Sequence, residues 1–133
     1  MKEDFLHHLW QFQKWHHLPL QTVANQIVSV HKPGQYLQQA GPDFFNALIE
    51  IDQQLWAGTV EIHLKSSDWF AHHHEKDVHY ENVILHVVWE HDMEIYRQDG
   101  SAIPTLCFQH FVSKDLIEEY EQFMKPKTWI YCE

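Results

Sequence analysis

Thr59-Val60-Glu61-Ile62-His63-Leu64-Lys65 occupies residues 59–65 and alternates apolar and polar side chains from Val60 onward. A period of two is the mark of a strand whose two faces meet different surroundings. Val60, Ile62 and Leu64 therefore point one way, towards a core, while Glu61, His63 and Lys65 line the other face. Upstream, residues 44–51 read as a second strand. The short turn Asp52-Gln53-Gln54 folds it into a hairpin with residues 55–65. Downstream, Ser66 or Ser67 caps a helix expected over residues 68–80. The apolar run 83–89 that follows reads as a strand covered on both faces, central in its sheet.

The remaining segments extend this core. Residues 3–15 place Phe5, Leu6, Leu9, Trp10 and Phe12 at helical spacing behind an acidic start, and Pro19 is expected to stop that helix. Ile27, Val28 and Val30 lead as a strand into the turn at Pro33-Gly34. Residues 94–96 and 105–108, separated by Asp99-Gly100, are expected to pair as a hairpin at the sheet edge. Ser113 caps a last helix in which Leu116, Ile117, Tyr120, Phe123 and Met124 share a face, ending before Pro126. The expected class is α/β: a mixed central sheet flanked by helices, in the order helix, three strands, helix, strand, then an added hairpin and a C-terminal helix.

At 133 residues the chain has the size of a single domain spanning 1–133. Nine basic against nineteen acidic residues give a formal charge of −10, which argues against wrapping nucleic acid by charge alone. Any nucleic-acid contact has to be local or assisted by a metal. No apolar stretch approaches the ~20 residues of a membrane helix, and no secretory leader is visible at the start, so no membrane partner is expected and a cytoplasmic location is. Cys107 and Cys132 lack metal or framework spacing and read as reduced thiols. The apolar ending at residues 129–133 suggests the N-terminal part of a longer protein, with a C-terminal portion as partner.

Chemistry concentrates on the hairpin. Pro42-Asp43 opens one of its strands and Glu61 lies on the other, so the pairing can bring two carboxylates together as the hard oxygen site that Mg²⁺ or Mn²⁺ takes. His63 or Lys65 on the same face can orient a water or offset charge on a phosphate. The alternative is a solvated strand face that happens to carry Glu, His and Lys. Thirteen histidines raise a second metal reading, a structural zinc module on His72, His74 and His79, with His73 beside them. A hydrogen-bonded core role suits His86.

The order of elements, with acidic residues on the second and third strands of the core, resembles the restriction-endonuclease-like PD-(D/E)XK phosphodiesterases. In this chain His63 stands where that motif has lysine, so either His63 replaces it or Lys65 reaches back along the strand. Glu3 is similar in placement to the extra acidic residue some of those enzymes draw from their first helix. The segments Ala40-Gly41-Pro42-Asp43-Phe44-Phe45-Asn46-Ala47, residues 56–69 and Val83-Ile84-Leu85-His86-Val87-Val88-Trp89 closely resemble bacterial domain-of-unknown-function family 2851 over essentially the whole chain. The PD-(D/E)XK resemblance implies a metal-dependent phosphodiesterase, nuclease-like, acting on nucleic acid through Asp43, Glu61, His63 and Lys65, while the family resemblance bears on the fold and the site rather than on the reaction. The alternative they leave is a catalytically inactive binding module of the same fold.

Overall fold

The computed structural model describes residues 3–15, 19–36, 43–71 and 82–123. The hairpin read from residues 59–65 lies at its centre. The strands are β1 (Leu20–Gln21), β2 (Ile27–Lys32), β3 (Gln35–Tyr36), β4 (Phe44–Ile51), β5 (Gln54–Lys65), β6 (Val83–Glu90) and β7 (Thr105–Cys107). The helices are α1 (Glu3–Gln11), α2 (Asp68–Ala71) and α3 (Lys114–Phe123). All seven strands form one sheet in the order β1-β2-β4-β5-β6-β7, with β3 pairing beside β2 on β4. β2, β4 and β5 run antiparallel in succession, and β6 and β7 then add in parallel. A backbone bond from Val23 N to Thr105 O, 2.9 Å, links the chain just after β1 to β7, so the two ends of the sheet meet.

Asp52 and Gln53 make the hairpin turn, with φ of 49° and 72°. Two consecutive positive φ values match the twist of the flanking strands, and Ile51 pairs directly with Gln54. Nearer the other end the register slips. Ala47 pairs with Gly58 but Phe44 pairs with Val60, so β4 carries one extra residue, at a bulge where Asn46 adopts φ 58°. Continuing the unbulged register would set Asp43 beside Ile62. The bulge sets it beside Glu61 instead.

The faces follow the alternation. Val60, Ile62, Leu85 and Val87 join Phe5, Leu6, Leu9 and Trp10 of α1 in the main core. Burying those four helix side chains contributes roughly 1.5–3 kcal/mol each before chain entropy is counted. Leu116, Ile117 and Tyr120 of α3 pack on the same cluster, and the Phe5 and Tyr120 rings lie 4.2 Å apart. The opposite face carries Glu61, His63 and His86, beside a smaller cluster of Trp69, Val83, Ile95 and Ile103.

Several expectations are corrected. α1 ends at Gln11 rather than near residue 15, because Gln13 takes φ 53°. Lys14 N then donates to Leu9 O at 2.9 Å, and Gln13 N to Trp10 O at 3.3 Å, a Schellman stop that needs no proline. The 94–96 and 105–108 hairpin does not form. Tyr96 makes an isolated bridge with Ala102, while residues 105–107 pair in parallel with β6, where Leu106 beside Val87 completes the core. β6 is interior and its residues 83–88 are buried, yet it sits next to last in the order, and β4 and β5 hold the centre. Ser113 caps α3 as read, accepting from Leu116 N at 3.1 Å, but Phe123 is 74% exposed and lies off the packed face. Met124, Cys132, Trp129 and the histidines of the zinc reading, His72, His73, His74 and His79, lie outside the described residues, as does the part of the expected 68–80 helix that follows Ala71.

Candidate functional site

Where β4 stops at Phe44, the next rung of the β5 ladder has no strand opposite it, and an unanswered buried N–H is costly. Asp43 answers it: Oδ2 accepts from Ile62 N at 2.7 Å. Its carboxylate thus replaces a missing strand residue and lies at the sheet corner, within reach of both faces. From α1, His7 brings Nε2 to 3.2 Å from Asp43 Oδ1. The His7 ring sits 5.1 Å from Tyr36 and 6.0 Å from Phe44, centroid to centroid.

Glu61 projects beside Asp43 from the polar face of β5 and is 3% exposed. Burial first, then the Asp43 charge and a hydrogen bond to Asp43, push its carboxyl up to about 10, and Glu3 adds to the same effect. Glu61 therefore holds a proton at neutral pH and donates it to Asp43. Burial opposes the Asp43 charge as well, but the close approach of His7 and the Ile62 N–H outweigh it and keep the group below the usual carboxylate range. His7 is the converse: burial opposes its charge, and Asp43 overcomes that and raises it. The corner thus sets an imidazole whose charged form is favoured beside a carboxylate, with a carboxylic acid behind it.

The row continues inward. His63 Nε2 lies 3.6 Å from Glu61 Oε1, and His63 Nδ1 meets His86 Nε2 at 2.8 Å. His86 is fully buried, and the Trp69 ring covers both imidazoles edge-on, at 6.4 Å from His63 and 5.2 Å from His86. His63 is 2% exposed. It faces Glu61 and His86 rather than the opening.

Lys65 is brought to none of these groups. Four residues beyond Glu61, about 13 Å along an extended strand, it is exposed, its backbone N bonded to Asp68 Oδ2 at 3.1 Å. Its charge is felt instead at Asp92, whose carboxyl is lowered chiefly by Ser67. The structure therefore gathers Asp43, Glu61 and His63 and leaves Lys65 at the far end. Glu3 joins them through its charge on Glu61.

His7 was not singled out from the sequence. Its only signal there is the flank of an amphipathic helix otherwise read as packing. The His63 and His86 contact was equally hidden, since the parallel register placing Glu61 beside His86 comes from a crossover. Cys107 is a buried free thiol whose Sγ donates to Trp89 O at 3.0 Å, and burial raises it. Among the described residues, no group of three or more His, Cys, Asp or Glu side chains is arranged to hold a metal ion. No helix among them is long and apolar enough to cross a membrane.

A family model described as "Protein of unknown function (DUF2851)" matches residues 3–133, and the chain belongs to that family. Nothing among curated proteins or solved structures matches it.

Proposed function

We propose that this member of the DUF2851 family is a metal-dependent phosphodiesterase domain, nuclease-like, in which Asp43 and Glu61 take one Mg²⁺ or Mn²⁺ and the substrate is nucleic acid. The observation that carries the reading is the carboxyl pair itself. Two acidic groups buried against each other repel unless a proton or a cation lies between them. Mg²⁺ suits such a pair, because it binds through one or two carboxylates and fills its remaining positions with water and substrate phosphate. The element order is compatible with this reading once the two-residue strands β1 and β3 are set aside: α1 is followed by the antiparallel β2, β4 and β5, then by α2 and the parallel β6, with Asp43 just before β4 and Glu61 on β5.

When bound, the ion activates a water and neutralises charge developing on phosphate oxygen. The residues do the rest. Asp43, whose side chain is 19% exposed, presents the pair at the opening. Glu61 lies behind it and would hold the ion as a carboxylate, with His63 Nε2, 3.6 Å from Oε1, the neighbouring base that would take its proton after a small approach, and His86 on the other ring nitrogen. Lys65 then acts as a contact to the phosphate backbone, away from the reacting water.

A second reading, a catalytically inactive binding module, is favoured by one specific feature: the shared proton already satisfies the pair without an ion. The test is cleavage of single- and double-stranded DNA and RNA by the chain with Mn²⁺ or Mg²⁺, beside Asp43→Asn and Glu61→Gln. Each variant is expected to lose at least about 100-fold in activity while remaining folded. Cleavage persisting in both overturns the mechanism. Nucleic-acid binding without cleavage by the wild type selects the binding module.

A further inference from the structure

We propose that the cleft at the carboxyl ends of β6 and β7 binds a nucleobase of the guanine type. That the base belongs to a substrate strand rests on the nuclease reading above, whereas the binding itself is a property of the cleft. β6 and β7 run parallel and end at Glu90 and Cys107. The crevice outside the carboxyl ends of parallel strands is a common seat for a ligand, because the connections leave the sheet there in different directions. Here the connection after β1 forms the opposite wall, fastened to β7 by the bond from Val23 N to Thr105 O. The space between measures about 620 Å³, within the range of small-molecule sites.

The lining selects the ligand. Among the described residues around the cleft Glu90 is the one fixed charge, which favours a neutral ligand over an anionic one. Gln21, Asn25 and Gln109 bring side-chain amides to it, and none of the three is hydrogen-bonded among the described residues. Each amide offers a donor and an acceptor in one plane. Phe111, half-buried against the main core, adds an aromatic surface. A flat heterocycle with donors and acceptors along its edge answers all of these. Glu90 narrows the class further, since a carboxylate accepts best from two adjacent N–H groups, and guanine alone among the common bases presents such a pair, N1–H beside the N2 amine. The metal-type groups of the cleft are already engaged. Cys107 Sγ donates to Trp89 O at 3.0 Å, and the His91 ring nitrogens meet Ser66 Oγ at 2.7 Å and Glu94 Oε2 at 3.1 Å. The wall carrying Asn25 is set in advance, because Thr22 Oγ1 accepts from Ala24 N at 3.3 Å and Gln26 N at 3.1 Å. Glu90 also pairs in register with Lys65, as His86 does with Glu61, so a strand running from the carboxyl pair to Lys65 arrives beside the group that would hold its base.

The test titrates guanosine into the full chain without metal and follows ¹H–¹⁵N spectra, with inosine and methyl glucoside as comparisons. Guanosine is expected to move the side-chain amide signals of Gln21, Asn25 and Gln109. Inosine, which lacks the N2 amine, and Glu90→Gln, which removes the carboxylate, are each expected to weaken binding about 10-fold or more. Glu90 and Gln109 are both exposed, so Glu90→Gln and Gln109→Ala should stay folded, and Gln109→Ala tests the amide wall independently. Amide signals that stay fixed at millimolar guanosine overturn the proposal, as do inosine or methyl glucoside binding as tightly as guanosine, or an affinity unchanged in both variants. Guanosine bound by a chain that cleaves no nucleic acid upholds the cleft and sinks the nuclease reading. Cleavage by a chain that binds no guanosine sinks the cleft alone.

Discussion

Replacing Glu61 by Gln should stabilise the protein at neutral pH, although it removes a buried hydrogen-bonded group at the centre of the candidate site. In the folded chain the Glu61 carboxyl keeps its proton up to about 10, whereas its ordinary value is 4.5. A folded-state value above the unfolded one means that stability from this group is fully present below pH 4.5 and declines as pH rises towards 10. The decline is about 1.4 kcal/mol per pH unit, so by pH 7 wild type has lost roughly 3 kcal/mol. Gln mimics the neutral acid and does not titrate. Urea midpoints taken from pH 4.5 to 8 should therefore show the two proteins close together at the acid end, with Glu61→Gln ahead by about 3 kcal/mol at pH 7. Asp43 and His7 titrate in both, so the difference isolates Glu61. Saturating Mn²⁺ should reverse the order by stabilising only the wild type. Parallel pH curves for the two proteins would refute the reasoning, because they would mean that His63 takes the proton and Glu61 is ionised at neutral pH.

Other expectations concern the scaffold. In Gly58→Ala the new Cβ would lie 2.6 Å from Asn82 O and 2.7 Å from Ile84 Cγ2. Strand β6 must shift to admit it, so thermal melting should show a loss of about 1–3 kcal/mol. Trp10→Phe removes the indole N–H that donates to Pro33 O at 2.9 Å and should cost about 1–2 kcal/mol by urea denaturation. Trp56→Phe, at a site 41% exposed on the free end of the hairpin, should change the same midpoint by less than about 0.5 kcal/mol.

Local chemistry alone determined a good part of this protein. The alternation at residues 60–65, the positive-φ turn at Asp52-Gln53, the apolar run from Val83, the stripe Phe5-Leu6-Leu9-Trp10 and the Ser113 cap are each contained within a dozen neighbouring residues, and the chain follows them. The hairpin also made Asp43 and Glu61 neighbours on paper. Other features depend on contacts between residues far apart in sequence. Phe123 follows the helical period yet lies in solvent, because α3 packs through Leu116, Ile117 and Tyr120. Residues 105–107 carry strand-like side chains whichever partner they take, and the open edge of β6 decided for parallel pairing. Tertiary structure likewise decided the site. A one-residue bulge at Asn46 moved Asp43 from Ile62 to Glu61, the docking of α1 delivered His7, and the crossover to β6 put His86 against His63. Burial then turned Glu61 from an ordinary carboxylate into an acid that keeps its proton, since solvent exclusion depends on the packed surroundings and not on the residue type.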